Sequence, residues 1–207
     1  MRFLIPALSV SLVVLSCKKK DAAFEINGIV SDNTFSQPLQ GATIKLYQIP
    51  VGSTDEKLIG TYTSDAQGNF SFSFPREKME KYIIRITKNL YFSKEETIYF
   101  SELSLDEPYQ RNSSTTAMSW AKLTFHNLNP QAVDHLQYIK QSGKVNCPEC
   151  CPSEYQNYYG ALDTSIYCVN DGNTNYSYLY WVLGTSNQGN QTVYTTAFDT
   201  TEIILNY

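Results

Sequence analysis

The chain has 207 residues, and its 16 Lys and Arg are outnumbered by 20 Asp and Glu, which gives a formal net charge of −4 at pH 7. A mildly acidic chain without a basic stripe excludes nucleic acid as a partner, because affinity for phosphate backbones comes mainly from clustered Lys and Arg. The length is enough for one large domain or two small ones, each with its own core.

The first 17 residues have the pattern of an export signal. A positive charge at Arg2 is followed by an apolar run, residues 3–15, that is too short to span a bilayer as a stable helix. The run ends abruptly at Ser16 and Cys17. An ordinary secretory peptide cleaved nearby and an uncleaved anchor are the alternatives.

Residues 14–17, Val-Leu-Ser-Cys, resemble the bacterial lipobox. The resemblance implies that residues 1–16 are a signal peptide, that Cys17 is lipidated, and that residues 17–23 form a lipidated tether. Several acyl chains, at about 0.8 kcal/mol per buried methylene, hold a protein stably on a membrane. Residues 18–21, Lys-Lys-Lys-Asp, resemble those of Bacteroidetes lipoproteins. We therefore expect an outer-membrane lipoprotein of the cell envelope, on either its periplasmic or its surface-exposed face.

After the tether, short runs rich in Ile, Val, Thr, Tyr and Phe alternate with polar residues and are interrupted by Gly, Asn, Asp and Pro. This pattern predicts an all-β chain. A period of two, as in residues 70–74, puts apolar side chains on one face of a sheet, which needs a second layer to cover it and so predicts a β-sandwich. The strands predicted in the first half are Phe24–Val30, Ala42–Tyr47, Lys57–Thr63, Asn69–Phe74, Tyr82–Lys88 and Glu96–Phe100.

The first half contains three motifs: residues 28–32 (Gly-Ile-Val-Ser-Asp), 38–46 (Pro-Leu-Gln-Gly-Ala-Thr-Ile-Lys-Leu) and 64–72 (Ser-Asp-Ala-Gln-Gly-Asn-Phe-Ser-Phe). In this order they resemble the carboxypeptidase regulatory-like domain. The resemblance covers residues 24–105 and implies a small transthyretin-like β-sandwich of a mainly non-catalytic kind. In the third motif, Gly68 stands where a tight hairpin needs a positive φ.

Residues 106–118 are polar and lack hydrophobic periodicity, so we interpret them as an interdomain linker. The β pattern then resumes and predicts a second sandwich, with a cysteine-containing loop, over residues 119–207. The predicted fold is therefore all-β, with two consecutive transthyretin-like or immunoglobulin-like sandwiches after a lipoprotein signal peptide. The strands predicted in the second half are Trp120–Asn127, Leu136–Lys140, Thr164–Val169, Tyr176–Leu183, Thr192–Phe198 and Glu202–Asn206.

The most distinctive chemistry of the second domain is a set of four cysteines, Cys147, Cys150, Cys151 and Cys168. In an oxidising exported compartment such cysteines form disulfides. We expect at least one bridge from the clustered three to Cys168, which would pin the loop of residues 141–159 to a strand and contribute about 3 kcal/mol. A four-thiolate zinc site, for which only the first pair has the familiar spacing, and a redox-active CxxC motif are the alternatives.

The tyrosine-rich segment of residues 176–183 is the candidate binding surface. Alternation assigns Leu179, Trp181 and Leu183 to one face of the strand and three tyrosines to the other. If the first face is the core, the phenols form an exposed platform for a sugar or a partner protein. The alternative is that these aromatic residues only pair across strands. The three candidate ligand-binding residues are Tyr176, Tyr178 and Tyr180.

The catalytic inventory is thin, since His126 and His135 are the only two histidines of the chain. Alternation puts His126 with Lys122 and Thr124 on the wet face of its strand. Neither histidine lies in a nucleophile elbow or an HExxH motif. No catalytic residue, metal site or cofactor is therefore predicted, and an enzyme is not expected.

These patterns together favour a membrane-anchored, non-catalytic module of the cell envelope. Its expected partners are the membrane, through the lipid on Cys17, and either a glycan or an envelope protein, with no nucleic acid. A structural or spacer subunit of an envelope complex is the main alternative, and a hydrolase of unidentified type is the third.

Overall fold

The structure is a computed structural model that describes residues 22–207. The predicted signal peptide, the lipidation site at Cys17 and the first residues of the tether lie outside the described residues. Within the described part, no helix is long and apolar enough to cross a membrane.

Ten short elements form the first sandwich. One sheet has the order β2-β1-β5, with β8 and β9 paired to β1, and the facing sheet has the order β4-β3-β6-β7. The elements are β1 Ala23–Asp32, β2 Gln37–Pro38, β3 Thr43–Pro50, β4 Lys57–Thr63, β5 Asn69–Pro75, β6 Met79–Thr87, β7 Lys94–Tyr99, a 3₁₀ turn Phe100–Glu102, β8 Tyr109–Gln110 and β9 Ser113–Thr115.

The alternation read from the sequence is confirmed in this core. Phe70, Phe72 and Phe74 on β5 are buried, while the residues between them are exposed. Ile44 and Leu46 on β3 face them from the other sheet and are fully buried. Each such side chain contributes roughly 1.5–3 kcal/mol when it leaves water. All six strands predicted in this half are present, with ends that differ by a few residues.

The turn at residues 65–69 is tight, as predicted, but it is not a hairpin. Gly68 has a φ of 78°, and Asp65 Oδ1 accepts hydrogen bonds from the backbone amides of Gln67 at 2.9 Å and Asn69 at 2.8 Å. The two strands that it joins, β4 and β5, belong to opposite sheets. The turn therefore carries the chain from one layer of the sandwich to the other.

The predicted linker, residues 106–118, is also largely part of the first sandwich. Tyr109 and Gln110 pair in parallel with β1, and so do Ser113 to Thr115. These strands are too short to show a hydrophobic period, and their buried residues Ser113 and Thr115 are polar. The linker prediction was wrong for this reason, and two residues, 116 and 117, separate β9 from the next strand.

Seven strands form the second sandwich. One sheet has the order β13-β10-β16 and the other, called here the four-stranded sheet, has the order β12-β11-β14-β15. All six strands predicted here are present, and β12 is an addition. The strands are β10 Met118–His126, β11 His135–Ser142, β12 Gln156–Tyr159, β13 Asp163–Asp171, β14 Thr174–Val182, β15 Gln188–Thr195 and β16 Thr200–Asn206.

An aromatic cluster joins the two sandwiches. The ring of Phe198, from the second, lies 5.8 Å from that of Phe35 and 5.4 Å from that of Tyr91, both from the first. The backbone amide of Met118 donates to Leu90 O at 2.8 Å. Phe198 has a φ of 68°, which costs a bulky residue about 1–2 kcal/mol and is offset here by the ring contacts.

The two sandwiches follow one another end to end. Strand β1 begins beside residue 22 and, being 10 residues long, extends about 33 Å before it ends near the junction. Strand β10 starts at the junction and runs away from it. Strand β14 does the same, because the backbone amide of Gly172, just before β14, donates to Ala117 O at 2.7 Å. The end of β14 is therefore far from residue 22.

We predict that Gly68→Ala destabilises the protein more than Gly41→Ala. Both glycines have positive φ, 78° and 73°, so each alanine costs about 1–2 kcal/mol in backbone strain. A Cβ on Gly68 would also lie 2.4 Å from Val30 O, whereas one on Gly41 meets no atom within 4 Å among the described residues. Urea unfolding of the two variants checks this, and equal losses would contradict it.

Candidate functional site

The predicted tyrosine platform is not on the surface. Tyr176 and Tyr178 are 0% exposed and Tyr180 is 9% exposed. The alternation was right, but the assignment of the two faces was wrong. The tyrosines face the core, and Leu179, Trp181 and Leu183 face outward.

Ring packing explains why the tyrosines are inside. The ring of Phe125 on β10 lies 5.4 Å from that of Tyr138 and 6.0 Å from that of Tyr178, and the two tyrosine rings are 5.5 Å apart. Large rings fill the space between the sheets, and their tilted and edge-to-face contacts add about 0.5–1.5 kcal/mol each. On a strand whose two faces are both apolar, alternation alone does not tell which face is the core.

Two of the buried phenols lack a hydrogen-bond partner among the described residues, those of Tyr176 and Tyr178. Burial raises the pKa of both hydroxyls well above the usual range. They therefore remain neutral, and their role is to fill the core.

The outward side of the four-stranded sheet carries a surface that we call the amide–aromatic face. Its central row crosses all four strands, because Gln137 pairs with Asn157 on one side and with Trp181 on the other, and Trp181 pairs with Gln188. Around this row are two tyrosines, a histidine, three aliphatic residues and a fourth amide. The face consists of His135, Gln137, Ile139, Tyr155, Asn157, Tyr159, Leu179, Trp181, Leu183, Gln188 and Asn190.

Neighbouring side chains hold one side of this face in place. Asn157 Oδ1 accepts a hydrogen bond from Gln137 Nε2 at 3.0 Å and lies 2.8 Å from His135 Nε2. The His135 ring stacks on Tyr159 with its centroid 4.2 Å away. Hence Gln137 and Asn157 are oriented before any ligand arrives.

Trp181 is the centre of the face. Its ring is partly exposed and lies 6.1 Å from that of Tyr155, which is 55% exposed. A shallow depression of about 340 Å³ adjoins it, lined also by Gln188 and Asn190. The indole therefore offers a flat apolar surface beside amide groups that are open to solvent.

The amide–aromatic face carries no Lys, Arg, Asp or Glu. The outer side of the opposite sheet differs, since Lys122 Nζ lies 2.9 Å from Glu202 Oε1 and His126 Nδ1 lies 2.7 Å from Asp163 Oδ1. Hydrogen bonds from Thr124 and Lys122 lower the pKa of Glu202. The ionic groups of that sheet are therefore already paired with one another.

The two histidines lie on different sheets, and each already has a local contact. His126 faces the Asp163 carboxylate, and His135 belongs to the amide–aromatic face. Thr124, which was expected beside His126 on the wet side, is only 4% exposed, since its hydroxyl donates to Glu202. Among residues 22–207, no group of three or more His, Cys, Asp and Glu is arranged to hold a metal ion.

All four cysteines of the second domain are in disulfides. Cys151 is bridged to Cys168 on β13, which confirms the expected link from the cluster to that strand. Cys147 is bridged to Cys150. The 17-residue separation of the first bridge corresponds to about 3 kcal/mol of stabilisation in the chain-entropy view. The pairing leaves these cysteines without thiolates for zinc.

A buried lysine holds the cysteine loop, residues 141–159, in place. Lys140 is 8% exposed, and its ammonium donates to the backbone carbonyls of Lys144, at 2.8 Å, and Cys151. Burial lowers the pKa of this ammonium. Lys140 therefore fixes the start and the end of the loop segment that holds the Cys147–Cys150 disulfide.

A cavity of about 690 Å³ lies at the junction, between the cysteine loop and the first sandwich. One of the lysines that line it, Lys144, donates to Asp171 Oδ1 at 2.8 Å and lies 4.3 Å above the Phe92 ring. This ammonium bridges the two sandwiches. The cavity is thus part of the junction, and the amide–aromatic face is the better candidate for a ligand.

The sequence predicts part of this face. It predicts the strand that contains Trp181 but assigns the candidate binding platform to the opposite side of that strand. Strand β12, which supplies Asn157, was not predicted because its four residues are too few to show a period. Tyr155 precedes that strand and was therefore not placed.

No protein-family model matches the chain, and no curated protein matches it. The resemblance of residues 24–105 to the carboxypeptidase regulatory-like domain stays a prediction.

Some solved structures are similar over most of the chain. Shaft pilin SpaA from Lactobacillus rhamnosus GG is 9% identical, with 89% of this chain and 97% of the pilin covered and a TM-score of 0.39. The Bacillus anthracis TIE protein is 14% identical, with 89% and 34% covered and a TM-score of 0.39. A streptococcal ancillary pilin is 10% identical, with 90% and 63% covered and a TM-score of 0.35. Likeness at this level carries no argument about function.

We predict that Tyr178→Phe leaves the free energy of unfolding unchanged or raises it by up to about 1 kcal/mol. The substitution removes a buried hydroxyl that has no partner in the described part of the chain and whose desolvation costs about 1–3 kcal/mol. The control is Tyr91→Phe, which loses a 2.8 Å hydrogen bond to Asp32 and is expected to destabilise. Denaturant unfolding measures both, and a loss above about 1 kcal/mol for Tyr178→Phe would show that its hydroxyl is bonded.

Proposed function

We propose that this protein is a lipid-anchored, non-catalytic binding module of the outer membrane. Cys17 holds it on the membrane, and the amide–aromatic face contacts its ligand. The observation that carries the proposal is this face itself, in which Trp181 and solvent-exposed amides form one row across four strands.

The direction of the strands supports this arrangement. Cys17 precedes the first described residue by five positions, and β1 then leads about 33 Å toward the junction. Trp181 lies near the end of β14 that points away from the junction. The first sandwich thus holds the binding face at a distance from the membrane.

A structural or spacer subunit is the second candidate, and the junction favours it. The Phe198 ring contacts rings of the first sandwich, and Lys144 bridges to Phe92. Contacts of this kind resist hinge motion, which is useful in a protein that sets a distance. A spacer has no need of a partly exposed tryptophan among amides, so the binding module is preferred.

We predict that Cys17→Ser moves the protein from the membrane fraction to the soluble periplasmic fraction. The reason is that the serine hydroxyl does not accept the lipid, and among residues 22–207 no helix is long and apolar enough to cross a membrane. Fractionation of cells that express either form measures this. Lys18→Ser serves as the control and is expected to stay with the membrane. Continued membrane association of Cys17→Ser would overturn the anchoring.

We predict that the protein captures a saturable ligand from solubilised envelope material and that Trp181→Ala abolishes the capture. The matched control is Tyr167→Ala, because Tyr167 is 59% exposed and lies on the opposite sheet. Bound proteins and glycans are identified by mass spectrometry, and melting temperatures confirm folding. Equal losses in both variants, or no capture at all, would refute the binding module and leave the spacer.

A further inference from the structure

We propose that the ligand of the amide–aromatic face is an uncharged polysaccharide whose sugar rings lie across the four strands, with one ring on Trp181. This inference rests on the proposed function and names the ligand class of that site.

The side chains of the face match the groups of a neutral sugar. A pyranose ring has apolar C–H faces, which pack on a flat aromatic ring such as Trp181. Its edges carry hydroxyls, which both donate and accept hydrogen bonds. The amides of Gln137, Gln188 and Asn190 also offer donors and acceptors together, so each can pair with a hydroxyl without any charge.

The amide–aromatic face lacks charged side chains, and this favours an uncharged ligand over a charged one. A polyanionic glycan is recognised by Lys and Arg, and the face has neither. The outer side of the opposite sheet does carry ionic groups, such as the pair Lys122 and Glu202. An uncharged polymer therefore matches this uncharged face.

The size of the face argues against a protein partner. Its central row spans three inter-strand spacings, about 14 Å, and the distance along β14 from Leu179 to Leu183 is about 14 Å. The rectangle between these Cα positions is therefore roughly 200 Å², to which the side chains add accessible surface. A stable protein interface buries about 800 Å² on each partner. A short stretch of a narrow polymer fits the available area.

The existing hydrogen bonds reduce the entropy lost on binding. Gln137 Nε2 donates to Asn157 Oδ1 at 3.0 Å, and His135 lies within 2.8 Å of the same oxygen. Side chains that are already ordered lose less rotamer freedom when a ligand binds. Gln137 keeps its carbonyl oxygen for a sugar hydroxyl.

The test is affinity electrophoresis of the detergent-solubilised full chain in gels that contain one polysaccharide each. The probes are soluble β-glucan, xylan and mannan as neutral polymers, and polygalacturonate as the charged one. We expect saturable retardation by at least one neutral polymer, none by polygalacturonate, and little change of affinity with added salt, because an uncharged ligand is not screened.

The variants separate the face from the rest of the molecule. Trp181→Ala is expected to weaken binding about tenfold or more, Trp181→Tyr to retain part of it, and Gln188→Ala to weaken it several-fold by loss of a hydrogen bond. Tyr167→Ala on the opposite sheet leaves binding unchanged. Because Gln188 is exposed, its variant tests the site even if the tryptophan variants do not fold.

Each contrary result has a distinct meaning. Retention of neutral-glycan binding by both Trp181→Ala and Gln188→Ala would overturn the site. Binding of polygalacturonate, or capture of a protein through Trp181 with no glycan bound, would overturn the ligand class and leave the proposed binding module standing. Failure to capture anything from the envelope would refute the proposed function as well.

Discussion

The packing of tyrosine rings between the two sheets of the second sandwich is the constraint on which the candidate site depends. Tyr176 and Tyr178 fill the space next to Phe125, and residues on a strand alternate between its two sides. Once the tyrosines are inside, Trp181 must be outside. The surface composition therefore follows from the core, and the same rule aligns Gln137 and Gln188 with the indole through strand pairing.

The junction turns two sandwiches into one elongated unit. Strand β9 pairs with β1 and ends at Thr115, and β10 begins three positions later at Met118. So short a connection cannot act as a flexible tether. Phe198 adopts a positive φ, which places its ring against that of Phe35. The orientation of the second sandwich relative to the first is thus set by backbone hydrogen bonds and by ring packing.

The sequence predicted the strands well because their apolar residues recur with a period of two over five or more residues. It failed where an element is short, as for β8, β9 and β12, because two to four residues do not show a period. It reversed the faces of β14 because Leu179 and Trp181 are as apolar as the tyrosines. The bridge to Cys168 was expected from the oxidising compartment, but the pairing of Cys147 with Cys150 depends on a local backbone path.

The parallel pairing of β1 with β9 has a mechanical consequence. A force applied between residue 22 and a ligand bound to the second sandwich is transmitted through the start of β1 and the end of β9. The two strands run in the same direction, so this load acts along the strands. Their hydrogen bonds, such as the one from Asn33 to Thr115 O at 2.9 Å, then share the force and must break together. Such a shear geometry resists rupture far better than bonds that open one by one.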